Sequence, residues 1–205
     1  MAISYPLSLP THTGLAQIEL RAQNAVAKSR SPFTFASQSH AYAGQMWAAD
    51  VSLPPMHRAD AEQWVAWLLS LRGQLGSFLL GDPLGATPRG LASTFPANPV
   101  ITDQTGGTIA VTGASTSKAG WLLAGDYIQV GSGSTATLHK VLQDADTDAS
   151  GNVTLEIWPH IRGTRSGSIS VSGAQGRFEL DTNMTSWSIN NASIYGISFS
   201  AMEAV

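Results

Sequence analysis

The side chains able to do chemistry in this chain are few, and their spacing decides what they are for. Asp144, Asp146 and Asp148 alternate in the segment 144–152, the pattern with which a calcium loop begins. Such a loop needs glycine at its sixth place and a bidentate glutamate at its twelfth. Those places hold Ala149 and Leu155, so the segment reads instead as a hairpin loop closed by Gly151 and Asn152. Asp126 follows Gly125 just before a short apolar run, where an aspartate characteristically accepts nearby backbone amides. The five histidines, His12, His40, His57, His139 and His160, include no i, i+4 pair with the helical glutamate of a zinc protease. Ser132 stands between Gly131 and Gly133, but Ser134 and Thr135 follow, so no G-x-S-x-G elbow is completed. Neither a P-loop nor a dinucleotide-binding glycine pattern is present. The reading is therefore no catalytic residue, no metal ligand, no cofactor, and a chain that is not an enzyme. One catalytic class escapes this search: glycoside hydrolysis needs two carboxylates set by separation in space, and the chain has 14 acidic residues.

Composition narrows the classes further. Hydrophobic residues make up 43% of the 205 and charged residues 12%, about half the roughly 25% usual for soluble domains. Charged side chains are depleted where proteins meet and keep monomers apart elsewhere, so self-association or a permanent partner is the expectation. The same Ser/Thr/Gly-rich surface also fits a secreted or sugar-binding β protein. The 11 basic residues and net charge of −3 supply no stripe for a phosphate backbone, which excludes nucleic acid as an expected partner. There is no cysteine, hence no disulfide framework or thiolate site. No window reaches the length of a membrane span, and the N-terminal residues do not resemble a secretion signal; synthesis in the cytosol follows as an expectation.

The elements that would position these residues are mostly strands. Residues 15–21 alternate apolar with polar, and Pro32, Phe33, Thr34 and Phe35 form a short aromatic strand candidate. Residues 44–53 continue the pattern, with Met46 and Ala48, then after a slip of register Val51 and Leu53, facing inward; Pro54 and Pro55 end it. One helix is expected over 59–72, where Trp64, Trp67, Leu68 and Leu71 share a face that must lie across a sheet. Asp60 and Gln63 suit a capping pair, and Gly73 the left-handed terminating residue. Ser77–Leu80 is a short apolar strand. The Gly/Pro-rich passage 84–90 reads as a boundary. Beyond it, strand candidates at 108–112, 127–130, 137–142, 153–158 and 168–172 suit a small barrel or sandwich. Segments 177–180, 186–189 and 193–201 carry larger residues again. The fold class expected is mainly β with one amphipathic helix: a β-sandwich core over 1–84, an inserted small β domain over 85–173, and strands of 174–205 returning to the core.

Three passages, taken in order, carry a resemblance. They are Gln45-Met46-Trp47-Ala48-Ala49-Asp50-Val51-Ser52-Leu53-Pro54 leading into the Trp-rich helix; Gly76-Ser77-Phe78-Leu79-Leu80-Gly81-Asp82-Pro83; and Gly125-Asp126-Tyr127-Ile128-Gln129-Val130 followed by the Asp/Gly hairpin and Leu155-Glu156-Ile157-Trp158-Pro159. Their succession, from about Tyr42 to Trp187, resembles the distal tail proteins at the tail tip of long non-contractile-tailed bacteriophages. The resemblance implies a structural virion protein forming a ring, hexameric or trimeric, with the tail tube protein on one side and hub or receptor-binding proteins on the other, located at the virion tail tip. It implies no catalytic residues. A ring subunit needs heterologous self-contacts and an edge strand used for pairing. The weakly charged segment 15–27 is the candidate, with Gln17, Ile18, Glu19 and Leu20 as the self-assembly edge, and proline or lysine at Ile18 is expected to block the ring and leave the fold. Two other readings stand beside this one: a carbohydrate-binding module stacking sugars on Trp121, Trp158 or Trp187, and a cell-envelope hydrolase.

Overall fold

The computed structural model describes residues 3–11, 14–95 and 97–204; His12 lies outside them. Among the described residues the chain is mainly β, with 49% in strands, one α-helix and two antiparallel sheets, an arrangement consistent with a β-sandwich. The first sheet begins with a hairpin of β1 (Gln17–Arg30) and β2 (Ser37–Ser52), and β3 (Met56–His57) leads into helix α1 (Arg58–Leu71) and then β4 (Ser77–Leu80). Four strands form the second sheet: β5 (Val100–Val111), β6 (Tyr127–Val130), β7 (Thr137–Val141) and β8 (Val153–Ser170). The last three, β9 (Gly176–Leu180), β10 (Trp187–Ile189) and β11 (Ile194–Glu203), belong to the first sheet, whose order is β1-β2-β11-β9-β4. The first half of β11 pairs with β10 and β3, and its second half is hydrogen-bonded between β2 and β9.

Helix α1 buries Trp64, Trp67, Leu68 and Leu71 together with Ala61 and Val65. Trp67 packs edge-on against Phe78 of β4 with centroids 5.0 Å apart, and Phe78 meets Phe199 of β11 at 5.9 Å. Each such side chain contributes about 1.5–3 kcal/mol by leaving water, so this aromatic layer fixes the helix on the sheet. Its ends differ from the expected ones. The N-cap is His57, without a side-chain cap bond, and Asp60 lies inside the first turn, where its charge suits the helix dipole. The helix starts early because Met56 and His57 are tied to β11 and the chain turns straight from that pairing into the first turn. At the other end the left-handed residue is Arg72 (φ 54°), and Gly73 (φ 68°) follows in the same region. A side chain at Gly73 would sit 2.7 Å from the Asn183 amide oxygen, which is why glycine stands there.

Two strand expectations also change. Trp47, Ala49 and Val51 of β2 and Leu53 just beyond its end are buried in unbroken alternation, with no register slip, and Ala48 is buried as well. The small alanines and half-buried Met46 hide that alternation in the sequence. On β8, the segments read as separate strands are one strand of 18 residues. It runs through Gly163 and Gly167, both at positive φ, and its exposed middle carries no apolar period. The start of β8 pairs with β7 through Trp158 and Ile157, and its end pairs with β6 through Ile169 and Ser170. This strand therefore clasps the β6–β7 hairpin at both ends while β5 runs along it. Inside lies a second core that includes Ile101, Ile109, Val111, Trp121, Leu122, Ile128 and Leu155. Tyr127, Leu138 and Ala174 instead join the first core, so the two sheets are packed together through side chains of both.

Candidate functional site

The feature that stands out physically is the far half of the β1–β2 hairpin. Residues 21–30 of β1 and 37–44 of β2 are exposed on both faces, although they are paired from Val26↔Ala41 to Arg30↔Ser37. At the usual strand rise these residues form an arm roughly 30 Å long. Between Asn24 and Val26 the partner on β2 jumps from Gln45 to Ala41, a bulge that re-aims the arm. The tip is the turn 31–36, not a strand: Phe35 takes φ 57°, and Ser31 Oγ accepts the amides of Phe33 and Thr34. Phe33 is 92% exposed and Phe35 65%, with Val26 and Tyr42 also exposed along the shaft. Between residues 22 and 45 there is no acidic residue, whereas Lys28, Arg30 and His40 are present.

The arm is anchored at its foot by the second sheet. Trp158 Nε1 donates to Asn24 Oδ1 at 2.8 Å, the His160 amide donates to Gln45 Oε1 at 2.8 Å, and the Arg162 guanidinium donates to the Gln45 carbonyl. Two residues further along β2, Trp47 stacks edge-on with Trp158 at 4.6 Å, and its indole N–H donates to the Leu138 carbonyl at 2.9 Å. The Trp47 amide donates to Glu203 Oε2 at 3.1 Å, and Arg162 pairs with the same carboxylate at 3.5 Å. Burial holds Glu203 above the ordinary carboxylate range, opposed by the Trp47 amide and Arg162. Near it, burial pushes His139 from 6.5 down to about 4, with Arg162 and Arg165 adding to the effect and the Pro159 carbonyl opposing it. That carbonyl can only accept, so His139 Nδ1 carries the proton of the 2.6 Å bond, and Nε2 accepts from the Thr137 hydroxyl at 2.8 Å.

The proposed edge residues lie at the base of the hairpin. β1 is the outermost strand of its sheet and pairs only with β2. Gln17 and Glu19 are exposed, whereas Ile18 and Leu20 are half-buried against the first core. A lysine or proline at Ile18 therefore disturbs packing as well as the edge, and the clean place to test assembly is the arm. Between Gln17, Glu19 and Asp50 on one side and Leu68, Met184 and Phe199 on the other runs an open groove of about 480 Å³. Among the described residues its charged lining consists of Glu19 and Asp50. Asp50 is already held by Arg21 at 2.7 Å and by the Ser200 hydroxyl at 2.5 Å.

The residues with chemical potential are occupied structurally. Asp126 accepts the amides of Arg89, Gly90 and Leu123 at 2.8–3.1 Å and pairs with Arg89, stapling the passage 84–90 to the start of β6. Gly90 is required there, since a Cβ would lie 2.5 Å from the Trp121 carbonyl oxygen. Asp144 and Asp146 accept the amides of Ala124 and Gly120. Asp148 folds its own loop by accepting from the backbone and side-chain amides of Asn152 and from the amide of Ser150, and these bonds hold its carboxyl below the ordinary range. Ser132 opens a single 3-10 turn closed by Thr135. No three His, Cys, Asp or Glu side chains converge as a metal site among the described residues. The sugar-stacking platform is not assembled: Trp121 is 1% exposed within the second core, Trp158 is engaged by Trp47 and Asn24, and Trp187 alone of the three presents a face at 38%. Among the described residues no helix is long and apolar enough to cross a membrane. The sequence matches no protein-family model and no curated protein.

Proposed function

We propose that this chain is a structural subunit of a phage tail tip that closes into a symmetric ring, its arm reaching onto a neighbouring copy, between the tail tube protein and the hub or receptor-binding proteins. The observation that carries the reading is the arm. An isolated two-stranded hairpin is marginal in water, and this one exposes both faces and an aromatic tip beyond its anchored foot. Such a segment gains its stabilising contacts from another chain. Arm and receiving surface are different patches, the condition for head-to-tail contacts that close by rotation. The groove beside Glu19 and Phe199 is the receiving surface, since an arm with Lys28 and Arg30 and no acid complements a groove whose lining carries Glu19, free of the Arg21 pairing that holds Asp50. The resemblance of the three sequence passages to distal tail proteins supplies the setting, and the low charge content supports permanent association.

Charge reversal tests the contact. Lys28→Glu with Arg30→Glu is expected to dissociate the assembly in sedimentation, and adding Glu19→Lys to restore part of it. Reversal on the arm that leaves the sedimenting species unchanged would overturn the reading.

A further inference from the structure

Behind the foot of the arm lies a second cavity, of about 100 Å³, at the seam between the two sheets. Three of the chain's 11 basic residues, Arg162, Arg165 and Arg177, line it together with His139 and His160, and Glu203 is its only acid among the described residues. That is a dense concentration of cationic donors for a chain of net charge −3. Arg162 spends part of its guanidinium on Glu203 and the Gln45 carbonyl, and Arg177 donates to the Ala204 carbonyl at 3.3 Å. Arg165 has no hydrogen bond or ion pair from its side chain among the described residues. With Glu203 ionised the three guanidinium groups outnumber the one carboxylate among the described lining residues, and His139 is kept neutral by burial and, to a lesser extent, by Arg162 and Arg165. The Ser134 and Thr135 side of the cavity adds hydroxyl-bearing residues. Uncompensated guanidinium groups converging on a recess are the recognition chemistry of planar and tetrahedral oxyanions.

We infer that this seam cavity binds a small phosphoryl oxyanion, held principally by Arg165 with Arg162 and Arg177 around it. A cavity of about 100 Å³ has room for a free phosphate or a terminal phosphate group. A ligand here would bridge the sheets, because Arg162 and Arg165 stand on β8 and Arg177 on β9. It would stiffen the seam that carries the arm, since Arg162 also bonds Gln45. The inference stands apart from the ring and holds or fails with the isolated chain.

The test is thermal unfolding and calorimetric titration of the full chain with inorganic phosphate and, separately, glycerol 3-phosphate, each against sodium chloride at equal ionic strength. Phosphate is expected to bind saturably and to raise Tm by roughly 3 °C at about tenfold excess over its dissociation constant. Arg165→Gln should abolish the response while leaving the ligand-free Tm close to wild type, because the Arg165 side chain has no hydrogen bond or ion pair among the described residues; if that variant does not fold, Arg177→Gln serves in its place. Binding of both ligands identifies an exposed phosphate monoester as a fitting source, and binding of phosphate alone identifies the free ion. A wild-type response no larger than that to chloride, or an unchanged response in the folded variant, overturns the assignment.

Discussion

The β1–β2 hairpin contains two regions built by the same pairing and governed by different physics. At its base, Trp47, Ala49, Val51 and Leu53 alternate into a core shared with α1, and β2 is hydrogen-bonded on both sides. In its arm, the same two strands continue with no second layer, and Val26, Phe33, Phe35 and Tyr42 stand in water. Ladder bonds are present in both, so they do not distinguish the halves; burial does. The comparison teaches that the base belongs to the stability of the chain, whereas the arm, with neither face covered, adds little to it.

Deleting the same chemical group from the core that the base packs into and from the arm gives the widest contrast. Phe78, wholly buried beside Trp67, Phe178 and Phe199, is expected to cost about 3–5 kcal/mol on change to Ala, read from denaturant unfolding. Phe33→Ala at the arm tip should move the same midpoint by less than about 0.5 kcal/mol. Similar losses at both sites would mean that the arm is folded against the body of its own subunit, and the contrast would fail.

The foot comes next in size and is sensitive to acid. His139 has a folded value of about 4 against 6.5 when free, so between these values the unfolded chain binds the extra proton. Its contribution is complete above about pH 6.5 and is lost as pH falls toward 4, on the order of 3 kcal/mol in all. Glu203 is shifted upward and works in the opposite sense, since its raised value favours the folded state as the carboxyl protonates. Unfolding measured from pH 7 to pH 4 should therefore show stability falling with acid in the wild type and a flatter profile in His139→Gln. An equal slope in both would remove His139 as the cause.

The bond that ties arm to foot is smaller. Asn24→Ala removes the acceptor of Trp158 Nε1 and should cost about 1 kcal/mol, with slower tryptophan-region amide exchange lost at the foot rather than in the helix.

Much of this architecture was legible in the chain. The spacing of Trp64, Trp67, Leu68 and Leu71 specifies one helical face, because each is large and the period is 3.6. Phe178, Leu180, Ile197 and Ala201 likewise mark their strands by period two, and that same count puts Glu203 on the buried side of β11, a signal open to the sequence reader and overlooked. The arm was not legible as an arm. Its residues alternate weakly because neither face is buried, so no period exists to find, and Phe33 and Phe35 imitate a strand where the chain turns. The Arg162, Arg165, Arg177 and His139 cluster was equally hidden, since it is assembled from three strands and no local spacing records it. Trp121, Trp158 and Trp187 show the reverse error: composition offers aromatic rings for stacking, and only packing tells which of them are already used.

The central claim is that the arm joins subunits and contributes little to the fold of its own. Its most direct test is native mass and particle symmetry by electron microscopy for the wild-type chain and for a variant in which residues 25–44 are replaced by Asn-Gly, a two-residue turn suited to closing the hairpin at Asn24 and Gln45. The account predicts closed rings of six-fold or three-fold symmetry for the wild type, and a monomer with nearly unchanged unfolding temperature for the shortened chain. Rings that persist without the arm, or a shortened chain that no longer folds, would contradict it.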